Sequence, residues 1–396
     1  MSDCSRRPID SVASGLRVTP TKAVNDLRPY AATSRNGKGL PGATVPLRLD
    51  ANEATVPPSP LVFDHLQAWI ASGGLNWYPD PAASELRRHL SVYTGRPESQ
   101  IQVFNGSDAA LDYVARTYIT LGDHVVICAP CYDNFRVFAA SLGGRVEEVF
   151  ARDPFTVDVG NLLAHIGPHT RVVYISNPNN PTGRLYQRDQ LLDVLDHLTG
   201  GVLLVDEAYF EYCGITGADL VDRYAHLIIA RSFSKAFGLA ALRCGYLLAH
   251  DDVIRSLDRI RNVKDVNTAA QVAAVAALQD IDYMHARVAV VGRARLWITD
   301  ALRAKGVEVV DPPANFIMIR VKDPEGVCLA LADERVYVRN RGYLPQLEHY
   351  VRVTIGTLDQ CRRFVEALDR VSRVDGGVLS VRIAGRDANG TPAGRD

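Results

Sequence analysis

The chain has 396 residues, 47% hydrophobic and 22% charged, with a formal net charge of −1, a length that exceeds what one hydrophobic core usually supports, so two domains are expected. The balanced charge and the absence of a long basic run argue against a nucleic-acid-binding protein. No apolar stretch reaches the length of a membrane span and the first residues lack the apolar centre of a signal peptide, so a cytoplasmic protein is expected.

Residues 1–45 mix Ser, Arg, Asn, Gly and Pro with little periodicity and are expected to form a flexible arm, and the Gly- and Asp-rich residues 376–396 a loose tail. Between them, short apolar runs alternate with amphipathic stretches. "IQVF" (101–104) precedes a helical pattern, as does "HVVIC" (124–128), whose helix covers 132–142. "RVVYIS" (171–176), "GVLLVDE" (201–207) and "HLIIARSF" (226–233) follow, with a helix near 187–198 between the first two. Runs that are apolar throughout suit strands buried on both faces, and strand–helix alternation implies a mostly parallel sheet between helices. A mainly helical region covers about 251–305, then "NFIMIRV" and "YVRVTIG" read as strands and 357–372 as a terminal helix. The expected architecture is α/β, with a large domain over 75–264 and a smaller α/β domain combining 46–74 with 265–375.

Seven scattered cysteines do not form a secreted disulfide framework. Cys128 and Cys131, in "CAPC", sit at a strand-to-helix turn where a redox pair would sit, but two buried, reduced thiols fit the context better. No second pair is present to complete a zinc site, and no metal is expected.

In an open α/β sheet, ligands bind beyond the carboxyl ends of the strands. "NGSD" follows the first run: Gly106 permits a tight turn, and the backbone N–H groups of Ser107, Asp108 and Ala109 open a helix suited to a phosphate, although Ser107 would equally serve as an ordinary N-cap. Tyr132 follows the second run, where it would lie on a planar ligand or pack in the core. "NPNNPTG" (177–183) brings Asn180, and "DEAY" puts Asp206 at the end of a buried strand with Tyr209 three residues on. A carboxylate so placed needs a cation or hydrogen-bond donors. The last run leads into "RSFSKAFGLAALRCGY", in which Lys235 is the single lysine, with Ser232 and Ser234 before it and Arg243 after it. A planar cationic heterocycle with a phosphate, held covalently by a lysine, explains all five. Ser107, Ser232, Ser234 and Arg243 take the phosphate, Asp206 pairs with the ring nitrogen, Asn180 and Tyr209 bond a ring oxygen, Tyr132 stacks, and Lys235 makes the covalent link. That ligand is pyridoxal phosphate.

"NPNNPTG", "DEAYFEY" and "SFSKAFGLAALRCGY" together resemble the class I/II aminotransferases of fold type I. "DANEATVPPSP" (50–60), "WYPD" (77–80) and "VRNRGY…YVRVTIGT" resemble the histidinol-phosphate aminotransferase branch, and the resemblance runs from about 46 to 373. It implies transamination between an amine and a keto acid, with Lys235, Asp206 and Tyr209 in catalysis. It also implies Arg352 on a substrate carboxylate, Arg339 on a substrate phosphate, Asn52 beside the substrate, and a homodimer in which Tyr78 reaches the other subunit's cofactor. After Asn52 and Glu53 the chain carries Ala54-Thr55 where members of the branch often have a proline or an aromatic, a departure expected to touch substrate recognition. A decarboxylase, lyase or cyclase of the same fold would keep every cofactor contact. A transcription regulator with such a domain would need a DNA-binding domain ahead of residue 46, for which this sequence has no room. A thiol-disulfide oxidoreductase using Cys128 and Cys131 is the remaining alternative.

Overall fold

The computed structural model describes residues 19–27 and 46–374. Of the expected arm it therefore covers only 19–27, with a short helix at Lys22–Asn25; the expected tail lies outside the described residues. The strands are β1 (Leu47–Arg48), β2 (Ile101–Phe104), β3 (His124–Ala129), β4 (Arg145–Phe150), β5 (Thr170–Ser176), β6 (Val202–Asp206), β7 (Leu227–Ser232) and β8 (Gly245–Ala249), then β9 (Val309–Val310), β10 (Phe316–Arg320), β11 (Val336–Tyr337), β12 (Arg339–Asn340) and β13 (Tyr350–Thr354).

β2 to β8 form one seven-stranded sheet in the order β2-β8-β7-β6-β5-β3-β4. All neighbours pair parallel except β8, which is antiparallel to β2 and β7. Period-2 alternation sends successive side chains to opposite faces, and both faces are covered. Val173, Ile175, Leu203, Val205 and Ile229 enter one core, with residues of the helices Pro60–Ala71, Ser84–Thr94, Arg188–His197 and Thr268–Gln279. Val172, Tyr174, Leu204 and Ile228 enter the other, with the helices Gly106–Tyr118, Asp133–Ser141 and Asp251–Asp258. Two strands of this sheet were not expected from sequence. β4 lies at the sheet edge, so its "RVEEVF" keeps two glutamates and lacks an apolar run. β8 is fully buried but follows directly on the lysine segment, where the alternation of strand and helix stops.

The second, antiparallel sheet runs β12-β13-β10-β9, and β1 pairs with β11 beside it. Ile317, Ile319, Val351 and Val353 share a separate core with Leu47, Leu49 and the terminal helix Leu358–Val374. Two segments join the cores. The 24-residue helix Ile281–Ala304, about 36 Å long at 1.5 Å per residue, gives Met284 to the first core and Ile298 and Leu302 to the second. The segment after β1 gives Leu49 to the second core and Val62 to the first. The helices Pro60–Ala71 and Thr268–Gln279, expected with the smaller domain, thus pack on the seven-stranded sheet. Among the described residues, no helix is long and apolar enough to cross a membrane.

Candidate active site

The carboxyl ends of the parallel strands open on a cavity of about 610 Å3 that the second sheet closes from the other side. Ser107, Asp108, Tyr132, Asn180, Asp206, Tyr209, Ser232, Ser234, Lys235 and Arg243 line it from the large sheet. Arg339, Arg341 and Arg352 line it from the side of the small one, and Asp50 and Glu53 from the segment after β1. The large-sheet residues, from Ser107 to Arg243, meet because the parallel strands all end at the same edge.

One end of the cavity is built for an anion. The helix Gly106–Tyr118 starts there with Gly106 at φ +82°, and a Cβ on Gly106 would lie 2.6 Å from Arg243 Nη2. Only glycine lets the guanidinium approach the helix start this closely. Arg243 Nη1 donates to Ser234 Oγ at 3.3 Å and Nη2 to Asp108 Oδ2 at 3.1 Å, while Ser234 N donates to Ser232 Oγ at 3.1 Å. Two hydroxyls, a guanidinium and a helix N-terminus therefore face one volume. Asp108 also accepts from Tyr132 Oη at 2.8 Å and Asn134 Nδ2 at 3.1 Å, which holds the Tyr132 ring at the wall.

The other end is built for a cation. Asp206 ends β6 at 4% exposure, accepts from Tyr174 Oη at 3.1 Å and from Ala208 N at 3.0 Å, and among the described residues pairs with no lysine or arginine within ion-pair distance. Burial pushes its carboxyl up to about 6; the Ala208 N–H and the Tyr174 hydroxyl pull it down, nearby Asp108 pushes it up, and Lys235 pulls it down. Lys235 Nζ donates to the Ala51 carbonyl at 3.2 Å and lies 5.7 Å from the centre of the Tyr209 ring. Tyr209 Oη accepts from Asn52 Nδ2 at 2.9 Å.

Several expected residues sit differently from a simple wall. Asn52 is fully buried, tied to Thr354 through N and Oδ1, and meets the cavity through Tyr209. Of the asparagines in "NPNNPTG", Asn177 closes the loop on the Tyr186 backbone and Asn179 on the Pro130 carbonyl. Asn180 alone lines the cavity, where its Oδ1 accepts from Arg352 Nη1 at 2.6 Å. Arg352 Nη2 donates to the Asp50 carbonyl at 2.7 Å. Tyr78 is 77% exposed, outside the cavity of its own chain, with Lys264 Nζ 3.8 Å from its ring centre. Ala54 and Thr55 line a different cavity. Arg341 and Tyr174 were missed. The signal for Arg341 was its i+2 spacing from Arg339 on a strand, which puts both on one face; Tyr174 looked like any other core residue of its strand.

Cys128 and Cys131 are free and buried. Cys128 Sγ accepts from Tyr186 Oη at 3.3 Å, and burial pushes both thiols above their ordinary range. Thiol exchange needs an accessible thiolate, so this environment opposes a redox role.

Residues 44–368 match the family "Aminotransferase class I and II". A dihydroxyacetone phosphate transaminase of Campylobacter jejuni is 33% identical, with 84% of this chain and 91% of the relative covered. Histidinol-phosphate aminotransferase 1 of Thiobacillus denitrificans is 34% identical, covering 94% and 96%. The crystal structure of histidinol-phosphate aminotransferase from Sinorhizobium meliloti in complex with pyridoxal 5'-phosphate superposes with a TM-score of 0.80 at 25% identity, covering 91% of this chain and 99% of that one. The donor set fits that cofactor: an anion cradle at one end, and at the other a buried carboxylate without a cationic side chain in contact. Sequence, fold and cavity chemistry agree that this chain belongs to the class I and II aminotransferases, in the histidinol-phosphate aminotransferase-like branch, and uses pyridoxal phosphate.

Proposed function

We propose that the chain exchanges an amino group between a carboxylate-bearing donor and a small substrate that carries a phosphate monoester away from its reacting carbon. The observation that carries this reading is the arginine face of the second sheet. Arg339 is in register with Arg352 across β12–β13, and Arg341 follows two residues later on the same face. Arg341 is 8% exposed, donates from Nη1 to Tyr343 Oη at 2.8 Å, and its Nε has no hydrogen-bond partner among the described residues. A dianionic phosphate is matched by such a cluster better than by one guanidinium. Support also comes from the two relatives, whose names, dihydroxyacetone phosphate transaminase and histidinol-phosphate aminotransferase, both specify a phosphorylated substrate.

In this reading Ser107, Ser232, Ser234, Arg243 and the helix start hold the cofactor phosphate. Asp206 holds a proton on the ring nitrogen, Asn180 and Tyr209 bond the ring oxygen, and Tyr132 stacks. Held at Lys235, pyridoxal phosphate would supply an electrophilic carbon for the substrate amine and a ring that withdraws electrons. Lys235 Nζ, steadied by the Ala51 carbonyl, takes and returns the proton at the amine-bearing carbon of the substrate. Asn52 orients the Tyr209 hydroxyl, and Arg352, fixed by Asn180 and Asp50, grips the donor's carboxylate with little reorganisation left to make. The working unit is a homodimer, because Leu75, Trp77 and Tyr78 are all exposed in one short apolar stretch and Tyr78 cannot serve its own cavity.

Three outcomes are expected. Arg339→Ala is assayed with histidinol phosphate against histidinol, and with 2-amino-1,3-propanediol phosphate against the unphosphorylated diol. Loss of one charge-assisted contact, about 1.5–3 kcal/mol, lowers kcat/KM roughly ten- to a hundredfold for the phosphorylated amine only. If both members of a pair fall alike, or neither falls, a neutral or aromatic amino acid becomes the better substrate class.

Tyr78→Phe homodimers should bind the cofactor about tenfold more weakly, the scale of one hydrogen bond to a charged group. Mixed with Lys235→Ala subunits, the intact lysine site then receives Tyr78 from the other chain and recovers normal affinity. Without recovery, Tyr78 does not act across the interface.

For Asp206, the raised folded-state value means that the native, cofactor-free protein holds this proton more tightly than the unfolded chain. The associated stability is present below about pH 4 and is lost as pH rises toward about 6. Cofactor-free Asp206→Asn should therefore be more stable than cofactor-free wild type at pH 7, on the order of 2–3 kcal/mol, with the gap closing near pH 4 in denaturant titrations. Its transamination should fall steeply. A pH-independent gap, or near-normal turnover, would remove Asp206 from this role.

A further inference from the structure

A second cavity, of about 310 Å3, begins along the chain where the active site ends. Asp50, Ala51 and Glu53 line the first cavity and Ala54, Thr55 and Val56 the second; Lys235 lines the first and Ala236 the second. The small side chains at 54 and 55, which the sequence suggested would bear on substrate recognition, instead border this separate volume. Its size is at the lower end of the range of about 300–1,000 Å3 found for small-molecule sites.

The cavity touches both connections between the two cores. One wall is the segment 54–56, and another is the helix Ile281–Ala304 through Arg287 and Val290. Most of the lining is apolar, but a half-buried guanidinium and a buried amide interrupt it. Arg287 donates from Nη1 to the Pro57 carbonyl at 2.8 Å and from Nη2 to the Val56 carbonyl at 2.9 Å. No carboxylate pairs with it among the described residues, its Nε has no hydrogen-bond partner there, and burial pulls the guanidinium below its ordinary value. Asn315 is 1% exposed; its Nδ2 donates to the Asn52 carbonyl at 3.0 Å, and its Oδ1 has no partner among the described residues. Leaving a half-buried guanidinium without a carboxylate and a buried acceptor without a donor against an apolar void is unfavourable. An anion for the guanidinium, a donor for the amide oxygen and an apolar body for the walls would satisfy all three.

We infer that this cavity is an effector site for a small amphipathic carboxylic acid, with an apolar or aromatic body and one hydroxyl or amino donor. Occupancy acts on turnover because the ligand contacts both connections between the cores, and because Asn315 holds the Asn52 backbone while the Asn52 side chain holds Tyr209. A ligand that binds one arrangement of the two cores better than another shifts the population toward it. The inference needs transamination as the readout, but it does not depend on which amine is the substrate.

The test uses the holoenzyme and 3-phenyllactate, which has the carboxylate, the hydroxyl donor and the aromatic body but no amine to transfer. Titration calorimetry should show binding that weakens at least about tenfold for the methyl ester, the scale of one lost charge-assisted contact. Val290→Trp, at a half-exposed helix position whose enlargement fills the cavity without burdening the core, should abolish binding. Arg352→Lys should leave it intact. At saturating substrates, 3-phenyllactate should change kcat in the wild type and not in Val290→Trp. Binding that survives Val290→Trp or disappears in Arg352→Lys would assign the ligand to the reaction cavity and overturn the inference. Absence of binding at millimolar concentration, or binding without any change in kcat, would overturn it as well.

Discussion

A buried carboxylate without a cationic partner is the constraint on which the site depends. Asp206 ends a strand whose residues are all buried, and its surroundings offer it a tyrosine hydroxyl and one backbone N–H rather than an arginine. The next residue, also an acid, has been treated differently. Glu207 is buried beside Arg231, with Arg231 Nη2 2.9 Å from its Oε2, and also accepts from Thr216 and Gly217. Consecutive acids thus face opposite sides of the strand end, one neutralised by the protein and one left for a ligand. In the proposed reading a protonated ring nitrogen would supply the missing cation and let the carboxylate ionise, and the same pairing would keep the ring an effective electron sink.

The rest of the cavity follows from how such a ligand must be held. In the proposed reading its anionic end meets the helix start at Gly106, where the lack of a side chain admits Arg243, and the two serines before Lys235 complete the cradle. Lys235, the covalent lysine of the proposed reading, lies on the loop after β7, next to the strand that carries Asp206, so the β6–β7 pairing sets both. The substrate side comes from the other sheet. Arg352 is bound to Asn180 of the large-sheet loop and to the backbone of the segment joining the cores, so the carboxylate site proposed for it forms only when both sheets are in contact.

Much of this was legible in the sequence because parallel strands buried on both faces read as unbroken apolar runs, and the residues that end them stand out as the first polar ones. Asp206, Lys235, Ser232 and Asn180 were visible for that reason. Elements that break the rule were not: β4 is a charged edge strand, and Tyr174 is a core residue by composition whose hydroxyl alone gives it a role. Arg341 was obscured because β12 is only two residues long, too short for its alternation to register. The joint between Ala54 and the helix Ile281–Ala304 involves residues more than two hundred positions apart, and a cavity between them leaves no periodic trace.

The most direct measurement of the central claim is covalent trapping. Holoenzyme reduced with borohydride and digested should yield a single cofactor-modified peptide, with the pyridoxyl group on Lys235, and the absorbance of the bound cofactor should shift accordingly. A modified lysine elsewhere, or no modified peptide from protein that is turning over, would contradict the account.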